Sequence, residues 1–128
     1  MSQIQALHQQ AMDLAEIATT ARLKGDLAQV RLVLRQAFEK EVQAAALIAN
    51  DLNAEPTRSV LHRSAASLAI DCGEIQIAER LIATALMGNP PKEIAEELRD
   101  LFVQINLRQY FERRGIPLNE LPGSLQLT

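Results

Sequence analysis

Residues 18–38, ATTARLKGDLAQVRLVLRQAF, and residues 66–86, ASLAIDCGEIQIAERLIATAL, decide the fold once one is laid on the other at an offset of 48. Gly25 then falls on Gly73 and Asp26 on Glu74. Ala18, Ala21 and Ala37 fall on Ala66, Ala69 and Ala85, while Leu27, Val33, Leu34 and Phe38 fall on Ile75, Leu81, Ile82 and Leu86. Self-similarity at a fixed offset marks a repeated supersecondary unit. The glycine supplies the left-handed position that ends one helix, and the acidic residue after it opens the next, so each copy reads as a helical hairpin. Alanines on both sides of the turn let the two backbones approach closely; a bulky side chain there would overpack at about 1–3 kcal/mol.

Working outward, the first helix runs from Ser2 to Lys24, with Ile4, Leu7, Ala11, Leu14, Ala18 and Ala21 in one stripe and Ser2 with Gln5 as a capping box. The second runs from about Leu27 to about Asn50 and is apolar on more than one side, as expected of a helix between neighbours. Asn50 to Pro56 is a helix-helix turn, after which Thr57 is placed to cap a third helix reaching about Asp71. A fourth helix spans about Glu74 to Met87 and stops at Gly88-Asn89-Pro90-Pro91. Asn89 and Pro90 read as cap and first turn of a fifth helix, whose apolar stripe changes face at Leu107, Tyr110 and Phe111. The chain thus reads as all-α, about five helices in antiparallel hairpins, with residues 1–115 as one domain and 116–128 as a tail that can fold back through Ile116, Leu118 and Leu121.

Composition agrees. The 128 residues hold 19 alanines but only five glycines and five prolines, a helical bias. A net charge of -3 argues against a non-specific binder of nucleic acid or anionic membrane. The single cysteine, Cys72, excludes an intramolecular disulfide and fits a reducing cytoplasm. The start of the chain lacks the charged and apolar regions of a signal peptide, and no stretch is apolar for the length of a membrane span.

Between Ser59 and Pro90, Ala66 and Ala78 stand at small packing positions, Gly73 at the turn, Ile82 at a large position, Ala85 at a further small one and Pro90 at a closing proline. This segment resembles a tetratricopeptide-type repeat. The resemblance implies a right-handed stack of hairpins, the fifth helix as its cap, and a groove for a protein or peptide. His62 stands in place of the family's tryptophan, Ala69 in place of a frequent aromatic, Val42 in place of the first hairpin's closing proline, and the offset exceeds the family's repeat of about 34 residues. The stretch from Arg63 to Leu101 is also similar to a small bacterial protein family, a resemblance that implies no function.

Catalytic constellations are missing from the sequence. His8 and His62 lie in different helices outside any metal-binding spacing, the serines lack a nucleophile-elbow context, and no glycine-rich loop offers to cradle phosphate. Cys72 precedes Gly73 at a helix C-terminus, where the dipole raises a thiol pKa and disfavours the nucleophilic thiolate. No cofactor or metal is expected.

Two surfaces are candidates for a partner. Arg22, Lys24, Arg31 and Arg35 cluster around the first turn, with Arg31 and Arg35 one helical turn apart and able to grip one carboxylate or phosphate; Arg58 and Arg63 suggest a second basic spot. Tyr110 and Phe111 beside Arg113 and Arg114 carry the residue types that dominate interface energetics. The reading that follows is a non-catalytic protein-interaction module or regulator, able to form a homodimer through helix 1 or helix 5. The alternatives are a nucleic-acid-binding regulator using the Arg22–Arg35 patch, and a small helical enzyme or metal protein built on Glu93, Glu96, Glu97 and Asp100.

Overall fold

The repeat extends down to single backbone hydrogen bonds. In a computed structural model, which describes residues 2–116 with the Ser2 side chain excepted, five helices follow one another: α1 Ser2–Leu23, α2 Leu27–Ile48, α3 Thr57–Asp71, α4 Ile75–Met87 and α5 Lys92–Arg113. Gly25 and Gly73 have φ of 75° and 78°, the left-handed region that a residue with a Cβ enters only under strain. Asp26 N–H donates to Ala21 O at 3.0 Å and Glu74 N–H to Ala69 O at 2.8 Å, closing the same helix-ending motif 48 residues apart. Asp26 and Glu74 both stand at the N-cap of the following helix. Only Asp26 turns its carboxylate back, accepting from Gln29 N–H at 3.1 Å.

Consecutive helices pack antiparallel, and α5 also lies on α3. The superposed alanines do what their size allows: Ala18, Ala21, Ala37, Ala66, Ala69 and Ala85 are all buried. The stripe of α1 therefore faces α2. One core gathers Phe38, Ile82, Leu98 and Ile105 around the second hairpin and α5; another joins Ile4, Ala44, Ala45, Ile48, Leu61 and Ala65 at the end away from the turns. Among the described residues there is no strand, and no helix is long and apolar enough to cross a membrane.

α1 and α4 keep their expected bounds to within one residue, and three other boundaries depart further or change a residue's role. α2 ends at Ile48, with Ala49 as C-cap, two residues short of Asn50. Thr57 is the first helical residue of α3 rather than its cap; Pro56 occupies the cap position, and no side chain bonds there. Asn89 and Pro90 do not open α5: Pro91 is the cap and Lys92 the first helical residue. Pro91 has φ −55° and ψ 151°, the extended geometry of a residue outside the helix, so the paired prolines serve as an approach to it. The Ser2 cap and the fold-back of Leu118 and Leu121 lie outside the described residues.

α5 ends as α1 and α3 do. Gly115 has φ 72°, and Ile116 N–H donates to Phe111 O at 3.0 Å, the bond that Asp26 and Glu74 make. Where α1 and α3 carry Ala21 and Ala69 as the acceptor of that bond, α5 carries Phe111.

Candidate functional site: the turn end and the outer face of α5

Of the three arginines expected near the first turn, Arg35 is paired with acidic side chains. Arg35 donates from Nη1 to Glu74 at 2.9 Å, approaches Glu39 at 3.4 Å through Nε, and lies 5.2 Å over the Phe38 ring. The bond to Glu74 raises the Arg35 pKa above its already high ordinary value. Arg31 is exposed and, with Leu34, Arg35, Asp71, Cys72 and Gly73, lines a cavity of about 400 Å³. Arg22, in the last turn of α1, acts on Asp71 from a distance: burial pushes that carboxyl up, and the Arg22 charge pulls it partly back. Positive and negative charge therefore alternate around this end.

Cys72 sits in the same wall. Its thiol is pushed up first by burial, against the pull of Arg35 and with Asp71, Glu74 and Glu39 adding to the rise. The direction is the one read from the sequence; the principal cause is desolvation rather than the helix terminus. A thiol of this kind is a poor nucleophile at neutral pH.

A second cavity, about 370 Å³, opens on the other side of the α3–α4 turn between Ile70, Ile75 and Ile105, with Arg108, Gln109 and Glu112 at its rim. Asp71 and Gly73 line both cavities, so this turn separates the basic cluster from the last turns of α5.

On α5, Tyr110 and Phe111 meet edge to face with centroids 5.5 Å apart, and the Arg114 guanidinium lies 4.9 Å over the Tyr110 ring. Arg113 joins Phe102, Val103, Asn106, Leu107 and Tyr110 around an open cleft of about 480 Å³. Ala95, Leu98 and Ile105 face inward and are buried, whereas Phe102, Val103 and Tyr110 are 40%, 49% and 42% exposed on the far side. α5 is therefore apolar on two faces, which is why its stripe changes direction along the sequence. Tyr110 was legible as a candidate; Val103 was not, because a lone valine gives no signal until its helical neighbours Leu107 and Tyr110 are known to point away from the core.

Arg58 corrects the second basic spot. It is fully buried at the open end of the bundle, where its Nε donates to Ala49 O at 2.8 Å, Nη2 to Thr84 O at 2.7 Å and Nη1 to Ala85 O at 3.3 Å. Those carbonyls belong to the last turn or cap of α2 and α4, where helix ends leave acceptors open, and Ala85 O accepts the Gly88 N–H at 3.2 Å as well. Glu55 approaches at 3.8 Å and accepts from the Ser59 hydroxyl. A Cβ on Gly88 would fall against the guanidinium, 3.1 Å from Cζ, so glycine at that position leaves Arg58 its space. Arg63 is paired with Glu97 at 2.9 Å.

Both histidines are engaged. His62 is buried, donates from Nδ1 to Arg58 O at 2.7 Å, and has its pKa lowered chiefly by burial. His8 donates from Nδ1 to both carboxylate oxygens of Glu41, at 2.8 and 3.0 Å; Glu41 is itself fully buried, a functional-looking carboxylate that serves the hairpin. Among the described residues no three of His, Cys, Asp and Glu converge as a metal site, the carboxylates of α5 included. Comparison with protein-family models, with curated proteins and with solved structures finds no match.

Proposed function

We propose that the protein is a non-catalytic interaction module, its hairpins forming a tetratricopeptide-like right-handed stack, and that it binds a protein or peptide on the outer side of α5. The observation that carries this reading is the exposed apolar row on that helix. A helix that closes a repeat stack has a polar outer face, whereas Phe102, Val103, Leu107 and Tyr110 lie outward or half-outward here. Aromatic and arginine side chains next to one another supply the anchors that dominate protein interfaces, and Tyr110, Arg113 and Arg114 provide them. Within the Arg22–Arg35 cluster, by contrast, Arg35 is already engaged by Glu39 and Glu74, and the Arg22 charge acts on Asp71.

The test is capture of bound proteins from the protein's own cells by the wild-type chain and by Val103→Glu, each with and without nuclease. A stoichiometric protein held by the wild type, resistant to nuclease and lost from Val103→Glu, is expected. Partners unchanged by Val103→Glu would remove α5 from the reading, and recovery that depends on nucleic acid would transfer it to Arg22, Arg31 and Arg35.

A further inference from the structure

Along the outer side of α5 and onto its C-cap, the residues Glu96, Asp100, Val103, Leu107, Tyr110 and Arg114 follow one another at spacings of four, three, four, three and four. That is the heptad spacing of a helix seam. The opposite side, through Leu98 and Ile105, is the one used within the chain, and all six residues of the row are exposed or half-exposed. The row has a chemical order: two carboxylates, then three side chains with apolar bodies, then a guanidinium. Stacking on Tyr110 holds the Arg114 guanidinium over the row.

We infer that this row is the seam of a homodimer in which α5 of one copy pairs antiparallel with α5 of a second. The inference rests on the reading of α5 as a protein-binding surface and names its occupant. Antiparallel pairing about the middle of the row sets Glu96 against Arg114 of the other copy, Asp100 against the Tyr110 hydroxyl, and Val103 against Leu107, each twice by symmetry. Such a contact is isologous and closes on itself. Parallel pairing would instead oppose Glu96 to Glu96 and Arg114 to Arg114, so charge order selects the antiparallel arrangement. The apolar stretch spans only three positions, which fits a dimer that dissociates in the micromolar range rather than an obligate one.

Sedimentation equilibrium on the full chain tests this. The wild type is expected to show a monomer–dimer equilibrium. Glu96→Arg and Arg114→Glu, each alone, are expected to raise the dissociation constant at least tenfold, because each opposes like charges at both ends of the seam. An equimolar mixture of the two variants restores association, since positions 96 and 114 then carry opposite charges at both ends of the mixed dimer. A chain ending at Ile116 is expected to dimerise like the full chain. A wild type that stays monomeric at several hundred micromolar, single variants that associate as tightly as the wild type, or a mixture no tighter than its components would each overturn the proposal. Dimerisation that appears only when residues 117–128 are removed would also overturn it, assigning the row to the chain's own end. A monomeric wild type that still loses its captured protein on Val103→Glu would end this inference alone; capture insensitive to Val103→Glu would end the broader reading.

Discussion

The two hairpins share a turn and differ at their open ends. Near Gly25 and Gly73 the backbone bonds, N-caps and buried alanines coincide residue for residue at the offset of 48. Carried to the other end, the same offset lays His8 on Pro56 and Glu41 on Asn89. In the first hairpin the helices continue past this level and bury a carboxylate against a histidine; in the second they have stopped, and Arg58 gathers the carbonyls that stopping exposes. The comparison teaches that a repeated unit is specified by its turn and its small residues. The ends are free to be solved by whatever polar chemistry the local chain length requires.

The sharpest way to break the second solution is Arg58→Met. Three helix-end carbonyls and the Glu55 carboxylate would lose a buried cation, and removal of one partner from such a cluster costs about 3–5 kcal/mol. Urea unfolding is expected to show the loss, and Arg58→Lys to recover little of it, because a single ammonium cannot reach Ala49, Thr84 and Ala85 together. Survival of wild-type stability in Arg58→Met would mean that the helix ends are satisfied without the guanidinium.

A smaller effect tests the shared part. Ala18→Leu and Ala66→Leu insert the same side chain at equivalent positions, each at about 1–3 kcal/mol. Ala66 belongs to α3, which packs on α2, α4 and α5, whereas α1 packs chiefly on α2. The expected order is therefore a larger fall in thermal midpoint for Ala66→Leu. Equal falls would show that α1 is held as tightly as the interior helix.

The smallest effect concerns pH. His62 is buried with its pKa depressed below the ordinary value of 6.5, so the unfolded chain takes up a proton where the folded one resists it. Stability from this group is complete above about pH 6.5 and is lost as pH falls toward the folded value. Asp71 works in the other sense: its raised pKa means that protonation of the folded state recovers stability as pH falls through the carboxylate range. The urea midpoint is expected to decline between pH 7.5 and pH 5.5, and His62→Gln to flatten that decline. An unchanged slope in the variant would place the pH dependence elsewhere.

Five helices, their order and the Gly25 and Gly73 turns were legible in the sequence, because periodicity and a left-handed glycine are local signals. The surfaces were legible only in part. Tyr110 and Arg113 could be named as anchors from residue type, yet the outward direction of Val103 depends on which side of α5 meets α3 and α4. Arg58 was read as a surface charge, since nothing nearby in sequence reveals that carbonyls 9, 26 and 27 residues away converge on it. Glu41 escaped for the same reason: its partner His8 lies 33 residues upstream. Thr57 and Asn89 had the residue types of caps but were displaced by Pro56 and Pro91, a competition that composition alone does not decide.

Arg58 also bears on how the molecule opens. Repeat proteins commonly fray one unit at a time, because each unit touches only its neighbours through its faces. Here a single side chain from α3 holds the closing carbonyls of both α2 and α4, so melting the end of either helix releases a contact of the other. Amide protons near Ile48 and those near Ala85 should therefore exchange with solvent in one concerted event rather than in two, which makes one guanidinium the point at which two repeats become one cooperative body.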